Sequence, residues 1–133
     1  MLSHADMQLL ADKQELSELV ARYAWLVAQG RGAAVADLFS EDGEFLGLGH
    51  ELRGRRVLAR FYEKAAVPGA IVPMVGNVIF DVAGDTASGV STLMGMSQGP
   101  GRQLLCAYYE DDCVRVEGRW RFSRRRAGVY FER

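Results

Sequence analysis

The sequence predicts an α+β domain: one long, curved antiparallel sheet covered by three N-terminal helices, with a short hairpin between the second and third helix. Three observations carry this. Apolar residues recur at helical spacing only before residue 70. After it come long runs that alternate in the manner of strands, residues 70–82, 86–98, then 108 to 126 in two halves. Turn-permissive glycines separate them, at Ala83-Gly84-Asp85 and at Glu117-Gly118. Helices grouped ahead of a continuous meander imply one sheet packed on one helical layer.

In chain order, Leu16, Leu19, Val20, Tyr23, Leu26 and Val27 define the inner face of a long first helix. A break near Ala11-Asp12 is expected, with Asp12 as N-cap and Glu15 as its capping-box partner. Trp25 falls about half a turn from the apolar face, at roughly 100° per residue, and is expected at the surface. Gly30 stops the helix. A short helix over residues 33–39 turns Val35, Leu38 and Phe39 inward, and Ser40-Glu41-Asp42-Gly43 reads as a turn. Residues 44–48 and 51–54 form the short hairpin. The third helix covers residues 55–67, with Val57, Leu58, Phe61, Tyr62 and Ala65 inward and Pro68-Gly69 as its stop.

With 133 residues the chain fits a single domain over 1–133. Its 49% hydrophobic and 25% charged residues are ordinary for a folded globular chain, and a formal charge of −1 provides no general field for nucleic acid. No run reaches the roughly 18 apolar residues of a membrane span, and no signal peptide is visible in the first residues. A cytoplasmic location is the expectation. Cys106 and Cys113, on one strand and seven apart, are too distant to bridge. Two histidines far apart and scattered carboxylates make no metal-ligand set, and no cofactor motif is present, so neither metal nor cofactor is expected.

Four stretches in sequence, ARYAWLVAQGRGAAVADLFSEDGEF at 21–45, LRGRRVLARFY at 52–62, NVIFDVAGDTASGVS at 77–91 and YYEDDCVRVEGRWRFSRRR at 108–126, resemble the nuclear transport factor 2-like superfamily, specifically its SnoaL-like branch. The resemblance implies a cone of curved sheet and helices, a cystatin-like roll, with a hollow inside. It also implies several possible activities, among them dehydratases, isomerases and polyketide cyclases, together with non-catalytic binders. Members with acid–base chemistry carry an aspartate near the end of the first helix and a histidine on the strand that opens the meander. Here those places hold Ala28 and Arg31, and Pro73 or Met74. Neither half of the dyad is present.

Other residues remain as candidates for chemistry. Tyr23 lies on the inner face of the first helix, and Tyr109 matches the tyrosine of the family's Tyr-x-Asp strand; either phenol is suited to holding a developing enolate. His50, on a loop near the mouth, is a candidate base. Arg124 shares strand parity with Trp120 and Phe122 and is expected to enter the wide end of the cavity, with Arg121 and Arg125 outward unless a bulge inverts the order. Phe45, Met74, Met94 and Trp120 offer a soft apolar lining, and Asn77 is the family's strand asparagine. Two functions follow. One is a lyase, cyclase or isomerase acting on a hydrophobic molecule of polyketide, terpenoid or steroid type. The other is a binding or assembly module with the same cone. A half-covered sheet bearing apolar residues predicts a homodimer.

Overall fold

The computed structural model describes every residue except Pro100 and Arg102. Helix α1 spans His4–Gln29, α2 Gly32–Ala36 and α3 Arg55–Ala65; strands are β1 Phe39–Gly47, β2 His50–Arg53, β3 Ile71–Ala83, β4 Thr86–Ser97, β5 Leu104–Val116 and β6 Arg119–Glu132. They form one sheet in the order β2-β1-β6-β5-β4-β3. The α+β class and the four-strand meander are as the sequence predicts. The hairpin joins the same sheet through a parallel pairing of β1 with β6, which strand periodicity alone does not specify.

The expected break at Asp12 is absent, and α1 runs through it. Ser3 is the N-cap: its hydroxyl accepts from the Asp6 amide at 3.0 Å while the Asp6 carboxylate accepts from the Ser3 amide at 3.1 Å. With the box closed there, Asp12 sits mid-helix and binds groups of the sheet instead. At the other end Gly30 takes the left-handed conformation at φ 72°, and its amide closes on Leu26 and Val27. A side chain there would also collide with Pro68.

Leu16, Val20, Leu58, Phe39 and Phe122 are completely buried between helices and sheet. Each such aliphatic or aromatic side chain contributes roughly 1.5–3 kcal/mol by leaving water. In α3 the inner stripe is Leu58 and Tyr62, continued by Ala66 at the C-cap. Val57, expected inward, lies on the solvent side because the helix settles on a spacing of four, and Ala65 is exposed where it borders the interior cavity. The anticipated turn at 40–43 belongs to β1, whose pairing with β6 is irregular between Phe39 and Glu44.

Bulges decide which side chains enter the interior. On β6, Asp112 pairs with Arg124 and Cys113 with Phe122, so Ser123 is the extra residue; its hydroxyl donates to the Asp112 carbonyl at 3.0 Å. Parity therefore reverses after Phe122, and Arg125 is buried in place of Arg124. On β3 the register shifts between Gly76 and Ile79, with Asn77 at φ 52°.

Candidate functional site

The interior of the cone holds a cavity of about 210 Å³ whose wall includes Tyr23, Tyr62, Tyr109, His50, Phe45 and Pro73 among mostly apolar neighbours. Tyr23 comes from the inner face of α1, Tyr62 from the last turn of α3, and Tyr109 from the inward parity of β5 that it shares with Ala107 and Asp111. Their rings meet edge to face, with Tyr23 5.8 Å from Tyr62 and 6.0 Å from Tyr109. The Tyr23 and Tyr62 hydroxyls are hydrogen-bonded to each other. Two phenols sharing one hydrogen bond engage one of their two O–H donors, so the other stays available to an acceptor. Burial pushes all three phenols above their ordinary range, although the positive charge of Arg125 works against it. They are neutral donors through the physiological range.

Behind the tyrosines lies Arg125, fully buried. Its guanidinium carbon is 3.5 Å from the Tyr109 ring centroid, 4.3 Å from Tyr23 and 4.4 Å from Phe122. Nε and Nη2 donate to the Asp111 carboxylate at 2.9 and 3.2 Å. Nη1 is buried and has no partner among the described residues. Desolvation raises the Asp111 carboxyl above the usual carboxylate range, with Arg125 pulling the other way.

Of the residues singled out in the sequence, the structure brings Tyr23, Tyr109, His50 and Phe45 to one cavity. His50 is exposed at its rim, 4.6 Å from the ring of Phe61. The others are elsewhere. Arg124 points outward and donates to Glu44 at 3.2 Å, because the Ser123 bulge reverses the order of the arginines. Met74, 75% exposed, and Met94 lie on the outer face of the sheet. Asn77 is also exposed; it occupies the β3 bulge and donates to the Thr92 hydroxyl at 3.2 Å. Trp120 is buried but packs beside the first half of α1, where Nε1 donates to Asp12 at 3.1 Å. Tyr62, Asp111 and Arg125 were not read as site residues. The signal for Asp111 was present, since two residues from an inward Tyr109 a strand side chain is inward again.

Ala28 and Pro73 border one open groove between α1 and β3. Both are among the residues standing where the resemblance implies a dyad, and neither side chain titrates. Among the described residues no group of three or more His, Cys, Asp or Glu is arranged to hold a metal, and no helix is long and apolar enough to cross a membrane.

No curated protein sequence matches this chain. Three solved structures show what the fold is similar to. A nuclear transport factor 2-like protein with a cystatin-like fold from Novosphingobium aromaticivorans is 26% identical with a TM-score of 0.84, over 95% of this chain and 86% of that one. A proposed scytalone dehydratase from the same organism is 21% identical with a TM-score of 0.85, over 93% and 87%. The hexachlorocyclohexane dehydrochlorinase LinA-type3 of Novosphingobium barchaimii is 17% identical with a TM-score of 0.84, over 96% and 92%. A family model described as a SnoaL-like domain matches residues 8–126, which is nearly the whole chain, and this protein therefore belongs to the SnoaL-like domain family.

Proposed function

We propose that this protein takes a small, mostly apolar molecule carrying one acceptor oxygen into the tyrosine-lined cavity and acts on it as an isomerase or lyase. The observation that carries the reading is the arrangement of three buried phenols and one imidazole on an otherwise apolar wall. An O–H donor left over from the Tyr23–Tyr62 bond is suited to a ketone oxygen whose charge grows as an adjacent proton leaves. His50, at the rim, is the one imidazole in reach of that cavity and is assigned the role of base. Cavity size narrows the substrate class. About 210 Å³ is below the roughly 300–1,000 Å³ of drug-sized pockets, which favours a single-ring or short terpenoid ketone over a four-ring steroid.

The dehydratase and dehydrochlorinase named among the similar structures favour elimination or isomerisation as the reaction class. A second reading rests on the places where the resemblance implies a dyad: Ala28 and Arg31, and Pro73 or Met74, supply neither the carboxylate nor the imidazole, and the cavity then binds and carries its ligand without converting it.

The test is a thermal-shift panel of single-ring ketones and phenols, followed by proton NMR of each stabilising compound in D₂O. Deuterium uptake beside the carbonyl, lost in His50→Ala and reduced in Tyr62→Phe, is the expected result. Stabilisation with no exchange and no product assigns the second reading, and absence of stabilisation by any compound overturns both.

A further inference from the structure

Among the described residues, three other than glycine hold a left-handed backbone: Leu48, Asn77 and Glu117, at φ 52°, 52° and 51°. Asn77 occupies the β3 bulge, and a short amide side chain tolerates that conformation by bonding locally. The other two open turns of one kind. Gly47 pairs with His50 across Leu48-Gly49, and Val116 with Arg119 across Glu117-Gly118. Gly49 and Gly118 follow at φ 82° and 79°, so each hairpin closes through two left-handed residues in succession. Such a turn favours Asn-Gly or Asp-Gly, and a bulky aliphatic side chain in its first place strains the backbone.

The two turns differ in what lies beneath them. Glu117 faces solvent. Leu48, 40% exposed, borders the interior cavity beside His50, Phe61 and Ile71. Its place is fixed by the residue before it: Gly47, at φ 121°, lies so close to β6 that a Cβ there would strike the Ala127 carbonyl. A hairpin slid by one residue would bring a side chain into that contact, so the register holds Leu48 at the mouth.

We propose that Leu48 closes the cavity over its ligand, and that the strained turn persists because this position needs an apolar side chain. The inference rests on the assignment of the cavity as a ligand site. An asparagine would suit the turn but would set an amide against hydrocarbon, where its polar groups lose water without gaining partners. Leucine excludes water from the mouth instead, and together with Phe61 and Ile71 it offers the ligand only apolar contact there. The ligand class narrows accordingly: the part that lies against Leu48 is hydrocarbon, and the acceptor oxygen is directed at the phenols.

Leu48→Asn and Glu117→Asn test this as a matched pair, with cyclohexanone, 4-methylcyclohexanone and phenol as probes. Each variant places Asn-Gly in the same kind of turn, and each is expected to raise the melting temperature of the ligand-free protein by relieving the backbone. Only Leu48→Asn is expected to lose affinity, by roughly tenfold in calorimetric titration with the probes, because it alone removes apolar contact at the mouth. Failure of either variant to exceed the wild-type melting temperature overturns the proposal, since Leu48 is then ordinary packing or its turn is unstrained. Unchanged affinity in Leu48→Asn overturns it too, as does an equal loss in Glu117→Asn. If none of the three probes binds the wild type, the cavity's assignment as a ligand site falls and this inference with it; binding that is indifferent to residue 48 sinks this inference alone.

Discussion

Arg125 with Asp111 and Arg115 with Asp12 are the same chemistry at two depths. Each is a forked arginine–carboxylate pair with its guanidinium over an aromatic ring: Arg125 on Tyr109, Tyr23 and Phe122, and Arg115 on Trp120 at 4.5 Å. The deeper pair has no exposed side-chain surface, and Asp111 is pushed up by desolvation. The shallower one retains a fifth of the Arg115 side chain in solvent. There Asp12 accepts from Arg115 at 2.7 and 3.1 Å, from Trp120 and from Gln8, and its carboxyl falls to about 2, chiefly through the Arg115 hydrogen bonds. Arg115 also reaches Asp85 at 2.9 Å, which ties α1 to the far end of the β3–β4 hairpin. Identical partners therefore give shifts of opposite sign, and the amount of desolvation each carboxylate must overcome decides which.

Breaking the deep pair gives the largest effect. Arg125→Met strands the Asp111 charge among aromatic rings and is expected to lower stability by roughly 3–5 kcal/mol. Arg125→Met combined with Asp111→Leu removes both charges together and is expected to recover most of that loss. Urea titrations of the two variants check this, and a double variant as unstable as the single one would show that the pair is worth more than its desolvation.

The shallow pair is tested with pH. Asp12 has a folded value of about 2 against an ordinary 3.8, so its contribution is complete above the ordinary value and is lost as pH falls through the folded one. At about 1.4 kcal/mol per unit this amounts to about 2.5 kcal/mol. Asp111 runs the other way: its raised carboxyl disfavours the folded state at neutral pH, and protonation on acidification relieves that. Asp12→Asn is thus expected to flatten the decline of melting temperature between pH 4 and 2, while Asp111→Asn leaves that decline in place. Melting curves across this range decide the matter.

Next in size is the phenol pair in front of Arg125. Tyr62→Phe removes one hydroxyl of a buried hydrogen bond and is expected to lower stability by about 1 kcal/mol. Tyr109→Phe removes a hydroxyl whose protein contact is with Tyr23 and is expected to change stability less, while ligand stabilisation in the thermal-shift panel falls in both. Equal losses of stability would place Tyr109 in the same hydrogen-bonded chain.

Much of this molecule was legible in the chain, and the unread part shares one cause. The spacing of Leu16, Val20 and Tyr23 fixes the helix face, and the glycines at 84 and 118 fix the hairpins, because helix and strand periods are local properties. Arg124 and Arg125 were assigned to the wrong faces by a single extra residue, Ser123, which nothing in its neighbours' apolar pattern announces. Asp12 reads as a helix cap from its sequence context, yet its partners Arg115 and Trp120 lie more than 100 residues away. Of the cavity's tyrosines, Tyr23 follows from helical spacing and Tyr109 from the resemblance, because strand parity alone sets Tyr108 and Tyr109 on opposite faces without saying which is inward. Tyr62 joins them only through the packing of α3, which periodicity does not specify.

A third arginine–carboxylate contact extends the comparison into water. Glu44 accepts from Arg53 at 2.8 Å and from Arg124 at 3.2 Å, joining β2, β1 and β6 on the outer surface. The geometry resembles that of the buried pairs, but the Arg53 and Arg124 side chains are 58% and 45% exposed. Water then screens the attraction, and long side chains lose freedom to hold it. Hydrogen bonds to the two arginines still outweigh desolvation and draw the Glu44 carboxyl below its ordinary value. Glu44→Gln is accordingly expected to leave the melting temperature of the monomer at neutral pH unchanged within error, in low and in high salt. A salt-dependent fall in melting temperature would mean that β1 depends on this contact to hold its parallel pairing with β6, and that exposure alone does not rank the three pairs.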